Sequence, residues 1–124
     1  MHYKRIILLI YLLSQTLYAK PLIHFIVSSD CPHCHTLMKD INENPKLMLL
    51  LSKEYKVNII DTINTDVPKK LPFDGKVPTI IITNNNAIVG ETLKGLIPST
   101  ELMKYLFQII NYLKNNNKEV YYVY

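Results

Sequence analysis

Both cysteines of the chain lie three positions apart in the segment Cys31-Pro32-His33-Cys34-His35, which also holds two of its four histidines. Proline is favoured in the first turn of a helix, so the segment predicts a helix that begins close to Cys31. The unpaired N–H groups and the positive dipole end of such a helix stabilise a thiolate. The spacing therefore suits a redox dithiol, in which one sulfur attacks a disulfide and the other resolves the product.

The same five residues are compatible with a cofactor site. C-x-x-C-H is the attachment signature of c-type haem, for which His35 would be the axial ligand. A second axial ligand would have to be Met103, which falls in the apolar pattern of a helix. Cys31, Cys34 and a histidine could instead bind copper or zinc, but no His or Cys follows His35. The redox dithiol is the favoured interpretation, with no cofactor or metal beyond its disulfide, and a haem protein and a copper carrier stay as alternatives.

The N-terminal segment has the pattern of an export signal. Lys4 and Arg5 precede an apolar run at residues 6–13, and Ala19 offers a small residue at a cleavage site. The apolar-leaning stretch of about 13 residues is shorter than the roughly 20 that span a bilayer core. We therefore expect residues 1–19 to be a signal peptide and the protein to be exported, in a bacterium to the periplasm. Membrane attachment is expected only if this segment is not cleaved.

The charge of the chain does not indicate nucleic-acid binding. The sequence holds 14 Lys and Arg and 10 Asp and Glu, and two of the basic residues fall in the predicted signal. The lysines are scattered except for Lys69-Lys70, whereas a nucleic-acid interface needs a clustered basic face. The 105 residues that follow the signal suffice for one small core, and we expect a monomer in a compartment where disulfides persist.

Apolar patterning predicts alternating strands and helices in one domain. The predicted elements are a strand at 22–27, a helix from Pro32, a helix at 45–55, a strand at 57–61, a loop at 62–76, strands at 79–83 and 87–91, and a helix opening at Pro98. The Asn triplet at 115–117 is expected to end the last helix. The tail at 119–124 alternates like a strand but is equally compatible with disorder. The first two strands should be parallel with a right-handed crossover, a hairpin should extend the sheet, and helices should cover both faces.

This order of elements resembles the thioredoxin superfamily in its short, glutaredoxin-sized form. Cys31-Pro32-His33-Cys34 directly follows an apolar strand, as in that family. Val77-Pro78-Thr79 is similar to the family's cis-proline motif, and Gly95 and Pro98 lie where the family begins its last helix. The resemblance covers nearly all of residues 21–114. It implies an α/β fold of order β-α-β-β-β-α, with a mixed four-stranded sheet flanked by helices, in a domain at 20–114 that a tail at 115–124 follows.

The resemblance also implies an activity and its site residues. It implies a thiol–disulfide oxidoreductase in which Cys31 is the attacking sulfur and Cys34 the resolving one. Pro32 and His33 would tune the dithiol, and His33 would stabilise the Cys31 thiolate. Val77 and Pro78 would bind an extended segment of a client protein. The Pro-His pair and the Val before proline are similar to the oxidising DsbA type, so an oxidant or isomerase is favoured, although the direction of electron flow stays open.

Partners follow from the same resemblance. Client proteins with thiols or disulfides are expected, and a membrane redox partner is a further candidate. A non-catalytic binding module is a remaining alternative, but such modules often lose one cysteine and this chain keeps both.

Two features differ from the DsbA type. Only 22 residues separate Tyr55 from Pro78, which leaves no room for the helical insertion of that type and suggests a narrow set of clients. Phe25 stands where thioredoxins and DsbA-type proteins carry an acid in the first strand. The adjacent His24 should point to the opposite face of the sheet. The sequence therefore leaves the proton acceptor for Cys34 unassigned.

Overall fold

Five strands and three helices make up residues 19–122, the part of the chain that the computed structural model describes; side-chain surroundings are described as far as residue 115. The elements are β1 (Leu22–Val27), α1 (Pro32–Asn42), α2 (Pro45–Glu54), β2 (Lys56–Asp61), β3 (Thr79–Asn84), β4 (Ala87–Ile88), β5 (Leu93–Lys94) and α3 (Ser99–Tyr122). Residues 1–18, which hold most of the predicted signal peptide, lie outside the described residues. The predicted domain limits stay a prediction.

The strands form one mixed sheet of order β2-β1-β3-β4, with β5 also paired to β3. β1 runs parallel to β2 and antiparallel to β3, so the predicted α/β class and the predicted pairing are confirmed. The predicted strand at 87–91 is shorter than expected. It ends at Ile88, the chain turns at Gly90, where φ is +72°, and Leu93–Lys94 pairs with β3 as a separate strand. The described sheet therefore has five strands rather than four.

The three helices pack together on one face of the sheet. Their buried side chains share a core with Ile23 and Phe25 of β1 and Ile80 and Ile82 of β3. Because side chains alternate along a strand, these four residues point to the same side. The helical contributors to this core are Leu37, Ile41, Leu47, Leu50, Leu51, Leu102, Leu106, Ile109 and Ile110.

The opposite face is covered by the segment between β2 and β3. Leu71 is buried there with Ile26 of β1, Ile60 of β2 and Ile81 of β3. Partly buried side chains of the same segment complete this second cluster: Val67, Phe73 and Val77. The segment contains Pro68 and Pro72 and forms no helix, in agreement with the predicted loop. The prediction of helices on both faces is therefore wrong, because this proline-rich loop takes the place of a second helical layer.

The last helix is longer than predicted. α3 continues through the Asn triplet at 115–117 to Tyr122, so the predicted end of the helix is wrong. Residues 119–122, whose pattern left a strand or disorder open, belong to this helix. Asparagine lowers helix stability by no more than about 0.7 kcal/mol per residue relative to Ala, and no Gly or Pro follows Pro98 to stop the helix. Within residues 19–122, no helix is both long and apolar enough to cross a membrane.

Candidate active site

Cys31 is the N-cap of α1. Its backbone is extended, with φ −101° and ψ 111°, and Pro32 occupies the first turn of the helix. The Cys34 N–H donates a hydrogen bond to the Cys31 sulfur over 3.2 Å. The Cys31 sulfur takes the place of the side-chain oxygen that usually caps a helix. One of the N–H groups that would otherwise be unpaired at the start of the helix is therefore directed at this sulfur. This contact and the helix dipole favour negative charge on Cys31.

The two sulfurs differ in accessibility. Both cysteines are free thiols, and Cys31 is partly exposed. Cys34 lies one turn into α1 and only 2% of its surface is exposed. A sulfur of another protein can therefore approach Cys31, whereas Cys34 is placed to react with Cys31.

Burial also changes the acidity of Cys34. Loss of solvation raises the pKa of the Cys34 thiol to about 11, and its hydrogen bond with Cys31 acts in the same direction. A backbone hydrogen bond from Ser28 opposes the rise, and the charge of Asp30 adds to it. The neutral form of Cys34 is thus strongly favoured in the reduced protein.

The predicted Val77-Pro78 motif lies against the dithiol. The Cys31 thiol donates to the Val77 carbonyl over 3.9 Å, across 46 positions of sequence. The Val77–Pro78 peptide bond is cis, as the resemblance implied. Pro78 is buried, and its carbonyl accepts a hydrogen bond from Gly95 N–H at 2.9 Å. The structure therefore brings the two sequence motifs together at one end of the sheet.

The two histidines of the motif have different surroundings. The His35 ring donates through Nε2 to the Ser29 carbonyl over 2.7 Å, which ties α1 to the preceding loop. The His33 side chain is exposed, and no hydrogen bond to its ring is found within the described residues. The predicted effect of His33 on Cys31 stays a prediction, and it would act through space rather than through a formed contact.

Residues 24 and 25 occupy opposite faces of the sheet, as expected. Phe25 is 1% exposed and belongs to the core beneath the helices. His24 is buried on the other face, where its ring contacts the Thr83 hydroxyl at 3.0 Å and the Asn58 amide at 3.1 Å. Burial, helped by the charge of Lys70, lowers the pKa of His24. The ring thus bridges three strands and does not face the dithiol.

The structure gathers no further ligands around the dithiol for the alternative interpretations. Among residues 19–122, no three His, Cys, Asp or Glu side chains are grouped so that they could hold a metal ion. Met103, the candidate second haem ligand, packs against the helical core.

Two residues of the site were not singled out by the sequence. The Ser28 hydroxyl donates a hydrogen bond to a carboxylate oxygen of Asp30, and the Ser28 carbonyl accepts from Cys31 N–H at 3.2 Å. In the sequence, Ser28-Ser29-Asp30 reads only as the polar boundary of a strand. Their position directly before the nucleophile is the one available signal of a role in the site.

Comparison with known proteins supports the fold. No family model and no curated protein sequence matches the chain. Mitochondrial thioredoxin 3 from Saccharomyces cerevisiae superposes with a TM-score of 0.57 at 17% identity, over 72% of this chain and 78% of the yeast protein. The germline-specific thioredoxin Deadhead from Drosophila melanogaster gives 0.61 at 15% identity, over 87% and 90%. A thioredoxin from Thermus thermophilus gives 0.55 at 22% identity, over 73% of each chain. The chain therefore has a thioredoxin-like fold.

Proposed function

We propose that this protein is a thiol–disulfide oxidoreductase that exchanges disulfides with client proteins through Cys31 and Cys34. The observation that carries the proposal is the asymmetric dithiol at the start of α1. Cys31 is accessible and its sulfur accepts a helix N–H, whereas Cys34 is buried one turn further on. A thioredoxin-like fold with a C-x-x-C pair at this position supports the same activity.

The exchange proceeds through a mixed disulfide. With the protein oxidised, a client thiolate attacks Cys31, the Cys31–Cys34 bond breaks, and Cys34 leaves and takes up a proton. A second client thiolate then attacks the client sulfur of the mixed disulfide. A disulfide forms within the client, and Cys31 leaves as a thiolate. Two electrons pass from the client to the protein. The reverse sequence reduces a client disulfide and restores the Cys31–Cys34 bond.

An oxidising or isomerase-like role in the bacterial periplasm is the finer proposal. Any interaction that stabilises the Cys31 thiolate stabilises the reduced dithiol, which makes the disulfide a stronger oxidant. The Cys34 N–H at 3.2 Å supplies one such interaction, and His33 is proposed to supply another. The export pattern of residues 1–19 supports the proposal that this chemistry takes place in an oxidising compartment, where a membrane redox partner would reset the dithiol.

Client binding is proposed to use the backbone of Val77. Its carbonyl lies 3.9 Å from the Cys31 sulfur, so an extended client segment that pairs with this backbone would present its own sulfur to Cys31. The loop between β2 and β3 contains no helix, so it carries no helical insertion that could widen a client-binding surface. This favours a few specific clients over a broad range.

The proposal is tested with single-cysteine variants. Cys34→Ser should accumulate mixed disulfides with client proteins, because Cys31 still reacts and nothing within the protein resolves the product. Cys31→Ser should accumulate none, and equal trapping by both variants would contradict the assignment. The direction of electron flow is decided by two assays on the wild type. In the first, oxidised protein is added to a reduced, unfolded disulfide protein whose activity is followed. In the second, reduced protein is added to insulin and reduction of insulin is followed. Catalysed recovery in the first supports an oxidant, and catalysis only in the second makes the protein a reductase.

A further inference from the structure

The resolving half of the reaction requires a proton acceptor. With a pKa of about 11, only about one Cys34 thiol in 10⁴ is ionised at pH 7. Cys34 must nevertheless act as a thiolate when it displaces a client from Cys31. Phe25, which stands where the sequence resemblance would place an acid, is a buried hydrocarbon. A base therefore has to come from elsewhere in the fold.

The loop between β1 and α1 supplies a carboxylate next to the dithiol. Ser28 is 8% exposed, its carbonyl accepts from Cys31 N–H at 3.2 Å, and its backbone lowers the pKa of the Cys34 thiol. The same residue donates its hydroxyl to Asp30. Ser28 thus contacts Cys31 through its backbone and the carboxylate of Asp30 through its side chain.

Asp30 directly precedes Cys31 and has access to water. Its side chain is exposed, and its charge acts on the Cys34 thiol through space. A base at the rim of the site can take a proton from a buried thiol and pass it to solvent, and the hydrogen bond from Ser28 restricts the carboxylate to this position.

We propose that Asp30 is the proton acceptor for Cys34 and that Ser28 is the residue that positions it. The inference rests on the proposed oxidoreductase function. In the resolving step the Cys34 proton moves to Asp30 directly or through one water, and the Cys34 sulfur attacks the Cys31 sulfur. The bond between Cys31 and the client breaks, and the client leaves as a thiolate that takes its proton from solvent or from Asp30. In the reverse direction protonated Asp30 returns the proton to Cys34.

A base and a mere negative charge predict opposite effects when Asp30 is neutralised. The negative charge holds Cys34 in its neutral form, so Asp30→Asn should increase the ionised fraction of Cys34. If the charge were the whole effect, resolution would become faster. If Asp30 accepts the proton, resolution becomes slower although Cys34 is more acidic. The sign of the change therefore separates the two roles.

The experiment is stopped-flow reaction of the reduced protein with 5,5′-dithiobis(2-nitrobenzoate). The first release of thionitrobenzoate reports attack by Cys31, and the second reports resolution by Cys34. At pH 7 we expect Asp30→Asn to slow the second phase about a hundredfold, the lower end of the range of general-base catalysis, and to leave the first phase nearly unchanged. Ser28→Ala should slow the second phase by a smaller factor, and Asp30→Glu should restore it in part.

The matched control is Glu43→Gln, which removes one exposed negative charge at the other end of α1 and should change neither phase. A second phase that is unchanged or faster in Asp30→Asn would overturn the proposal, as would equal slowing by Glu43→Gln. This outcome is distinct from failure of the proposed function. The reagent is a small disulfide that reacts with any accessible dithiol, whereas absence of exchange with insulin and with an unfolded client would refute the oxidoreductase itself.

Discussion

Alkaline titration of the reduced protein should reveal the buried Cys34 thiol as a loss of stability. Because burial raises its pKa from 9.0 to about 11, the unfolded chain releases this proton at a lower pH than the folded protein. The stabilisation is present in full below about pH 9 and disappears as the pH rises through 11. A rise from 9.0 to about 11 corresponds to about 3 kcal/mol.

The assay is urea unfolding of the reduced protein at several pH values between 8 and 11, in parallel with Cys34→Ala. Lysine and tyrosine side chains titrate in the same range, but their contributions cancel in the difference between the two proteins. That difference should shrink by about 2 to 3 kcal/mol across the range. The oxidised protein, in which Cys34 has no proton to lose, should lack this component. A difference that stays constant from pH 8 to 11 would refute the link between burial and acidity.

Three further predictions concern single side chains. Replacing His33 with Phe should make the reduction potential more negative by on the order of 30 mV, the equivalent of one lost thiolate interaction. Equilibration with glutathione measures the potential. An unchanged potential would show that His33 has no redox role. Because the pKa of His24 is lowered from 6.5, the wild type should lose stability as the pH falls below 6.5. Thermal unfolding at pH 7.5 and 5.5 measures this loss. The control His35→Gln should keep the loss, whereas His24→Gln should not show it. Gly90 and Gly75 both have positive φ, but a Cβ at Gly90 would collide with a tyrosine hydroxyl and one at Gly75 meets nothing. Gly90→Ala should therefore cost more free energy of unfolding than the roughly 1 kcal/mol expected for Gly75→Ala, and equal losses in urea titrations would contradict the steric part.

The elements around the dithiol were predictable because several local signals agree. Pro32 and Pro45 each open a helix behind a capping residue, Cys31 and Asn44 respectively. The apolar run before the motif pairs as a central strand, and the cis peptide at Pro78 follows from its position in the resemblance. Each of these features depends on neighbours in sequence or on one recurrent motif.

The predictions that proved wrong concern features that depend on contacts between distant parts of the chain. Whether a loop or a helix covers a sheet face depends on what packs against Ile26 and Ile81, which periodicity does not show. The Asn triplet at 115–117 is a weak helix breaker that the rest of α3 overrides. The Ser28–Asp30 hydrogen bond was missed because short polar segments after strands are common, and nothing in their composition distinguishes a site from a turn.

The two faces of the sheet are covered by layers of different size, and these layers should differ in how readily they unfold locally. Among the residues whose side-chain surroundings are described, the helical side buries fourteen in one core, whereas the loop side buries four. Local opening is expected to begin where few apolar side chains are buried, which is the segment from Val67 to Val77. Hydrogen exchange should therefore be fastest there and slowest in β1. Since Val77 provides the carbonyl beside Cys31, opening of this segment would release one wall of the site while the helix that carries both sulfurs stays folded.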